Sequence, residues 1–152
     1  MQPCSYRCIS LNKISNAVIS DTNTDLYNLY KTIRENPQQL IDDLDNLRFR
    51  NTREDYDKAR ELFNSSSNPV KRTAILIYLN RHGYNGLYRV NSHNEFNVPF
   101  GKYTNPGMPS PENIMALSGL LQSCTVMNSD FEITIKDASK GDFVCFDPRA
   151  CH

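Results

Sequence analysis

The sequence predicts an α/β fold in which strand-type segments lie toward the two ends of the chain and a mainly helical insert, closing in a β-hairpin, lies between them. Three observations predict it. Short apolar runs that read as strands occur at Asn16–Ser20, Cys124–Asn128 and Phe143–Phe146. Between the first two, apolar residues recur at helical spacing in successive segments. At Gly83 the pattern changes to NRHGYNGLYRVN and EFNVPFGKY, which read as turns and short strands. The chain has 152 residues, 39% hydrophobic and 22% charged, enough for one folded core and ordinary for a folded chain.

Each element has a local reason. Asn16–Ser20 is a buried strand ending at Asp21. Leu26, Leu29, Tyr30 and Ile33 place a helix over Thr24–Glu35. Asn36-Pro37 ends that helix and begins another, with Leu40, Ile41, Leu44 and Leu47 on one face. Thr52-Arg53-Glu54-Asp55 resembles a capping box and opens a third helix with Tyr56, Ala59 and Phe63 inward. After the loop Ser65–Asn68, Pro69 starts a fourth helix carrying Ala74, Ile77 and Tyr78. Asn85-Gly86 marks a turn, and Leu87–Val90 with Phe96–Val98 form the hairpin strands. Pro106, Pro109 and Pro111 mark a linker, and Ser110 caps a helix that buries Ile114, Leu117 and Leu121. Gly141-Asp142 is a turn, and the continuous apolar run Phe143–Phe146 reads as a strand covered on both faces.

Charge is balanced overall, with 17 basic and 17 acidic residues, but not along the chain. From Asn46 to Tyr103 ten basic residues face five acidic ones, so this window carries +5 and the remainder −5. A basic middle fits either an anionic partner or a solvated helical surface of uneven charge. No apolar run reaches the length of a membrane span, which excludes a transmembrane role. MQPCSYRC lacks the basic start and apolar stretch of a signal peptide. Five scattered cysteines, with Cys124 and Cys145 read as buried thiols, fit a reducing cytoplasm better than a disulfide scaffold. With no C-x-x-C spacing, a metal site is not expected.

The string NRHGYNGLYRVN followed by EFNVPFGKY resembles the DNA-recognition hairpin of the Dam-type DNA adenine-N6 methyltransferases. The flanks agree in order: VISDTNTDL resembles that family's strand-two segment, NSDF its strand-three segment, and FDP the first half of its D-P-P-Y motif. The resemblance runs from about Leu11 to Pro148. It implies a partial Rossmann-like methyltransferase sheet with an inserted, mainly helical DNA-recognition domain. The implied division is 1–35 and 110–152 as partial catalytic regions around a recognition domain at 36–109, with its hairpin at 84–100.

The resemblance also implies roles. The cofactor would be S-adenosylmethionine, with Asp21 at its ribose and Asp130 and Phe131 at its adenine. The partner would be double-stranded DNA containing a GATC-type site. Tyr84 would wedge into stacked bases and Asn85 would contact the base left without its partner. Arg89 would read guanine, and Leu87 and Pro99 would meet a thymine methyl. Arg81, Lys102 and Tyr103 would hold phosphate or flanking groups; Lys71 and Arg72 could hold phosphate too, or simply begin a solvated helix. Asp147 and Pro148 would accept hydrogen bonds from the adenine amino group.

Two departures accompany the match. The family's glycine-rich turn falls where this chain has Met1–Cys8, without glycine. After Asp147-Pro148 the chain reads Arg149-Ala150 in place of the second Pro and the Tyr. The expectation is therefore the centre of a methyltransferase with both ends lost or replaced, impaired in turnover unless the lacking segments are supplied in trans. The alternatives are a non-catalytic, sequence-specific DNA-binding module and a decayed gene product. If the family's sheet order holds, the strand at 143–147 lacks a neighbour, and Asn36–Pro109 is expected to be the most autonomous unit.

Overall fold

A computed structural model describes residues 17–146. Strands β1 (Ala17–Ser20) and β2 (Cys124–Met127) pair in parallel, with Ala17 opposite Cys124 and Ser20 opposite Met127. A parallel pair needs a long crossover. Here the crossover comprises α1 (Thr24–Glu35), α2 (Pro37–Asn46), α3 (Arg53–Ser65), α4 (Pro69–His82), the hairpin and α5 (Pro111–Leu121). A short helix α6 (Phe131–Thr134) follows β2.

The helices begin where polar caps stand. The Asn23 side chain accepts from the Asp25 and Leu26 N–H groups, Asn68 from Lys71, and Ser110 from Asn113. Pro37, Pro69 and Pro111 occupy first turns, where a backbone N–H would have no helical partner. The expected capping box at Thr52 is half made. Thr52 accepts from the Asp55 N–H at 3.2 Å, but Asp55 turns its carboxylate to the Arg50 N–H at 2.9 Å. That bond ties the helix start to the loop before it.

Two apolar clusters share α4. One joins Ile33, Leu40, Ile41, Ala74, Ile114, Leu121 and Cys124, and so connects α1, α2, α4, α5 and β2. The other joins Tyr56, Ala59, Phe63, Ile75, Leu76, Tyr78, Leu79, Phe96 and Val98, from α3, α4 and the hairpin. A helix buried on most of its circumference must be apolar on most of its faces, as α4 is. Arg72 binds these parts together. It grips Asp25 of α1 with bonds of 2.8 and 3.0 Å to the two carboxylate oxygens, and donates to the Phe63 and Ser66 carbonyls at the end of α3. Tyr88 of the hairpin donates to the same Asp25 carboxylate at 2.8 Å. Arg72 is therefore committed to a structural ion pair and is neither a free phosphate ligand nor a solvated helix start.

Three expectations are corrected. The hairpin is not a regular ladder but two isolated antiparallel bridges, Gly83 with Phe100 and Val90 with Phe96. Pro99 has no N–H to extend the ladder, and α3 side chains take up the second strand's groups instead. Phe143–Phe146 is not a buried strand. Among the described residues the segment pairs with neither strand of the two-stranded sheet, and Phe143 is 79% exposed. Cys145, in the same segment, is exposed, whereas Cys124 is buried as expected. Among the described residues no helix is long and apolar enough to cross a membrane.

This packing predicts a contrast. Ile75→Ala, at a fully buried position, is expected to cost about 2–5 kcal/mol in denaturant unfolding. Phe143→Ala is expected to stay within about 0.5 kcal/mol of the parent. Equal costs would contradict the described burial.

Candidate nucleic-acid interface

The candidate surface begins where α4 ends. Gly83 must be glycine, because an added Cβ would lie 2.6 Å from the Leu79 carbonyl oxygen and 2.8 Å from the Tyr56 hydroxyl. The chain then turns sharply through Tyr84–Gly86, with Asn85 and Gly86 both at positive φ (54° and 59°). The Asn80 amide donates to the Gly86 carbonyl at 2.6 Å and holds the turn against α4. From the other side, the Tyr103 hydroxyl accepts from the Asn85 N–H at 2.9 Å. Asn51 in turn donates to the Tyr103 carbonyl at 2.6 Å.

The second hairpin strand is fixed by α3. The Tyr56 hydroxyl donates to the Val98 carbonyl at 3.0 Å. Burial pushes the Tyr56 pKa up to about 12, so this donor keeps its proton. The Asn64 amide makes a two-way pair with the Phe96 backbone, accepting from its N–H at 2.9 Å and donating to its carbonyl at 3.2 Å. Phe96 stacks edge-on against both Phe63 and Tyr88. With Phe96 and Val98 inward, the alternating positions must face out.

All eight residues expected to touch DNA are exposed: Arg81, Tyr84, Asn85, Leu87, Arg89, Pro99, Lys102 and Tyr103. The structure joins some of them directly. Tyr103 holds the loop of Asn85, and the Pro99 carbonyl accepts from the Tyr84 N–H at 2.9 Å. Arg89 bonds across the hairpin to Asn97, Nε to the side-chain oxygen at 2.7 Å and Nη2 to the carbonyl at 3.0 Å. Much of the basic window is neutralised internally, through Arg50–Asp55, Lys58–Glu54, Arg60–Asp57 and Arg72–Asp25. Arg81, Arg89 and Lys102 form no ion pair among the described residues. The uncompensated charge thus includes the hairpin and its base, along with Arg48, Arg53 and Lys71, which also form no ion pair among the described residues.

The expected cofactor residues lie at one edge of the sheet. Asp21 directly follows β1 and Asp130 closely follows β2, at the carboxyl ends of the two parallel strands. The Ser20 hydroxyl donates to the Ser129 carbonyl at 2.7 Å and joins the two strand ends. The Asp21 carboxylate accepts from the Asn23 N–H at 2.7 Å; Asn23, not Asp21, caps α1. Asp130 caps α6 by accepting from the Glu132 N–H at 2.9 Å. Phe131 is 55% exposed and meets the Phe146 ring edge-on, so it is not a core residue. Asp147 and Pro148, and the segment Met1–Cys8, lie outside the described residues.

Sequence reasoning missed the holders: Asn51, Tyr56 as a hairpin anchor, Asn64, Asn80 and Asn97. Only Asn97 had a local signal, since pairing Val90 with Phe96 sets residues 89 and 97 opposite each other. Asn80 acts six residues ahead, on Gly86, but Asn51, Tyr56 and Asn64 act across 52, 42 and 32 residues.

A family profile described as D12 class N6 adenine-specific DNA methyltransferase matches residues 7–148. The chain belongs to this DNA methyltransferase family. It is 43% identical over 138 residues to a Type II methyltransferase of Lactococcus lactis subsp. cremoris, covering 87% of this chain and 49% of that protein. It is 40% identical over 141 residues to a Type II methyltransferase of Methanocaldococcus jannaschii (86% and 49% coverage). It is 38% identical over 134 residues to a DNA adenine methylase of Haemophilus influenzae (86% and 46%). The chain thus spans about half the length of the curated relatives it matches. The methyltransferase family implies general use of S-adenosylmethionine and a double-stranded DNA substrate.

The loop and the buried histidine each generate a prediction. Tyr103→Phe removes the acceptor of the Asn85 N–H, so that amide is expected to exchange up to about tenfold faster, the equivalent of one hydrogen bond, with the fold retained. An unchanged exchange rate would mean that Tyr103 does not hold the loop. His82 is buried, stacks on Tyr78 and donates from Nδ1 to the Tyr78 carbonyl at 2.9 Å. Burial pushes its pKa below the ordinary value, against the opposing pull of that bond. The unfolded chain therefore takes up a proton near pH 6.5 before the folded one does. Stability is expected to be full above that pH and to fall from there toward the lowered folded value, and His82→Phe is expected to flatten the slope in that window.

Proposed function

We propose that this chain supplies the DNA-recognition part, with an edge of the cofactor site, of a site-specific adenine-N6 methyltransferase acting on a GATC-type duplex as a DNA-associated cytoplasmic protein. One observation carries the reading: the eight contact candidates are all exposed on an anchored hairpin and its base, where Arg81, Arg89 and Lys102 lack acidic partners among the described residues. Arg81 and Lys102 offer charge to phosphates, as Tyr103 offers a flanking contact. Arg89 presents a planar fork that suits guanine O6 and N7 in the major groove. Tyr84, at a tight turn, wedges into the base stack, while Asn85 takes the base left behind when adenine is flipped out. Leu87 and Pro99 offer apolar contact to a thymine methyl.

The sheet edge fits the adenosine part of S-adenosylmethionine. A carboxylate after a parallel strand accepts from ribose hydroxyls, and a second carboxylate accepts from an adenine amino group beside an exposed phenyl ring. Asp21, Asp130 and Phe131 are of those types and stand at that edge. When bound, this cofactor supplies an activated methyl group. The Asp147 carboxylate and the Pro148 carbonyl would orient the target amino group by accepting hydrogen bonds from it. Arg149 and Ala150, where the family has Pro and Tyr, remove the ring that would stack on the flipped base, a loss of about 1–3 kcal/mol. That departure favours a second reading, sequence-specific DNA binding without turnover.

Binding and methyl transfer separate these readings. Affinity for a GATC duplex is expected to fall steeply with added salt as phosphate contacts release counterions. Arg89→Ala is expected to relax discrimination at guanine by about 1–3 kcal/mol. Identical binding of GATC and scrambled duplexes by parent and variant would sink the recognition proposal. Tritium transfer from labelled cofactor is expected to be weak or absent, and robust incorporation would overturn the impairment.

A further inference from the structure

We infer that Asn97 is a positioning residue for base reading: it fixes the Arg89 guanidinium so that only its end fork is offered to DNA. The inference rests on the base-reading role proposed for Arg89. Arg89 spends Nε and one Nη2 hydrogen on Asn97, at 2.7 and 3.0 Å. Both bonds lie on one side of the planar group. A guanidinium has five N–H donors, so the pair formed by Nη1 and the other Nη2 hydrogen remains at the far end. That pair has the spacing that matches guanine O6 and N7.

Asn97 is a suitable clamp because it cannot drift. Its N–H donates to the Arg89 carbonyl at 3.1 Å. Its neighbours Phe96 and Val98 are 1% and 0% exposed and are tied to Asn64 and Tyr56 of α3. A long, exposed side chain would otherwise spread over many rotamers, and ordering it on contact would weaken the right and wrong duplexes alike. Held in advance, the fork rewards guanine and leaves other bases unmatched. Asn97 is thus expected to set specificity through its side-chain oxygen, as an acceptor.

Titration of fluorescent duplexes carrying GATC or AATT tests this. The parent is expected to prefer GATC by roughly ten- to hundredfold, the usual worth of a bidentate guanine contact. Asn97→Ala is expected to lose most of that ratio while retaining the parent's circular dichroism and unfolding midpoint to within a few degrees. Asn97→Asp keeps the acceptor and removes the amide donor; it is expected to keep the ratio while binding both duplexes more weakly through its added charge. In the Arg89→Ala background, Asn97→Ala is expected to change the ratio no further. A parental ratio in Asn97→Ala, or its loss in Asn97→Asp, would overturn the inference while Arg89→Ala still loses discrimination. If Arg89→Ala itself keeps the parental ratio, base reading by Arg89 fails and the clamp fails with it.

Discussion

Arg72 is where four segments of the chain meet. Its guanidinium holds both oxygens of Asp25 in α1, caps carbonyls at the end of α3, lies 4.1 Å over the Phe63 ring, and shares Asp25 with the Tyr88 hydroxyl of the hairpin. Each contact solves a local problem. The end of α3 leaves carbonyls without helical partners, and a half-buried carboxylate needs donors. Burial and the bond to Asp25 push the Tyr88 pKa up to about 12, so this donor also stays protonated. Because Asp25 lies four residues beyond Asp21, the node fixes the hairpin relative to the strand that ends at the candidate cofactor edge. A reader of DNA and a binder of cofactor can serve one reaction only if their spacing is fixed.

The hairpin itself is held by side chains rather than by a sheet. Tyr56 and Asn64 satisfy the backbone of residues 96–98, and Asn80, Asn51 and Tyr103 brace the turn at residues 84–86. The result is a short, irregular ribbon with its apolar residues sunk between α3 and α4 and its polar ones outward. Such a ribbon can present contact residues with little ordering cost, as a recognition surface requires.

The helices were legible because their ends are written locally. Asn23, Asn68-Pro69 and Ser110-Pro111 act within one turn of where they stand, and the run from Thr24 to Glu35 appears as expected. The outward set on the hairpin was legible from its motif, together with the alternation around Phe96 and Val98. Arg72 was not, because its partner Asp25 lies 47 residues away and a helix-start arginine looks solvated in sequence. Phe143–Phe146 misled for a related reason: a continuous apolar run states a need for cover but not whether a neighbour exists. The regular hairpin was overcalled because Pro99 interrupts the ladder while the α3 side chains replace it.

Amide hydrogen exchange with and without a GATC duplex tests the central claim, that the anchored hairpin is the DNA-reading surface. Added duplex is expected to slow exchange across residues 84–103 and to leave 131–146 unchanged. Protection confined to 131–146, with the hairpin amides unaffected by saturating duplex, would contradict it.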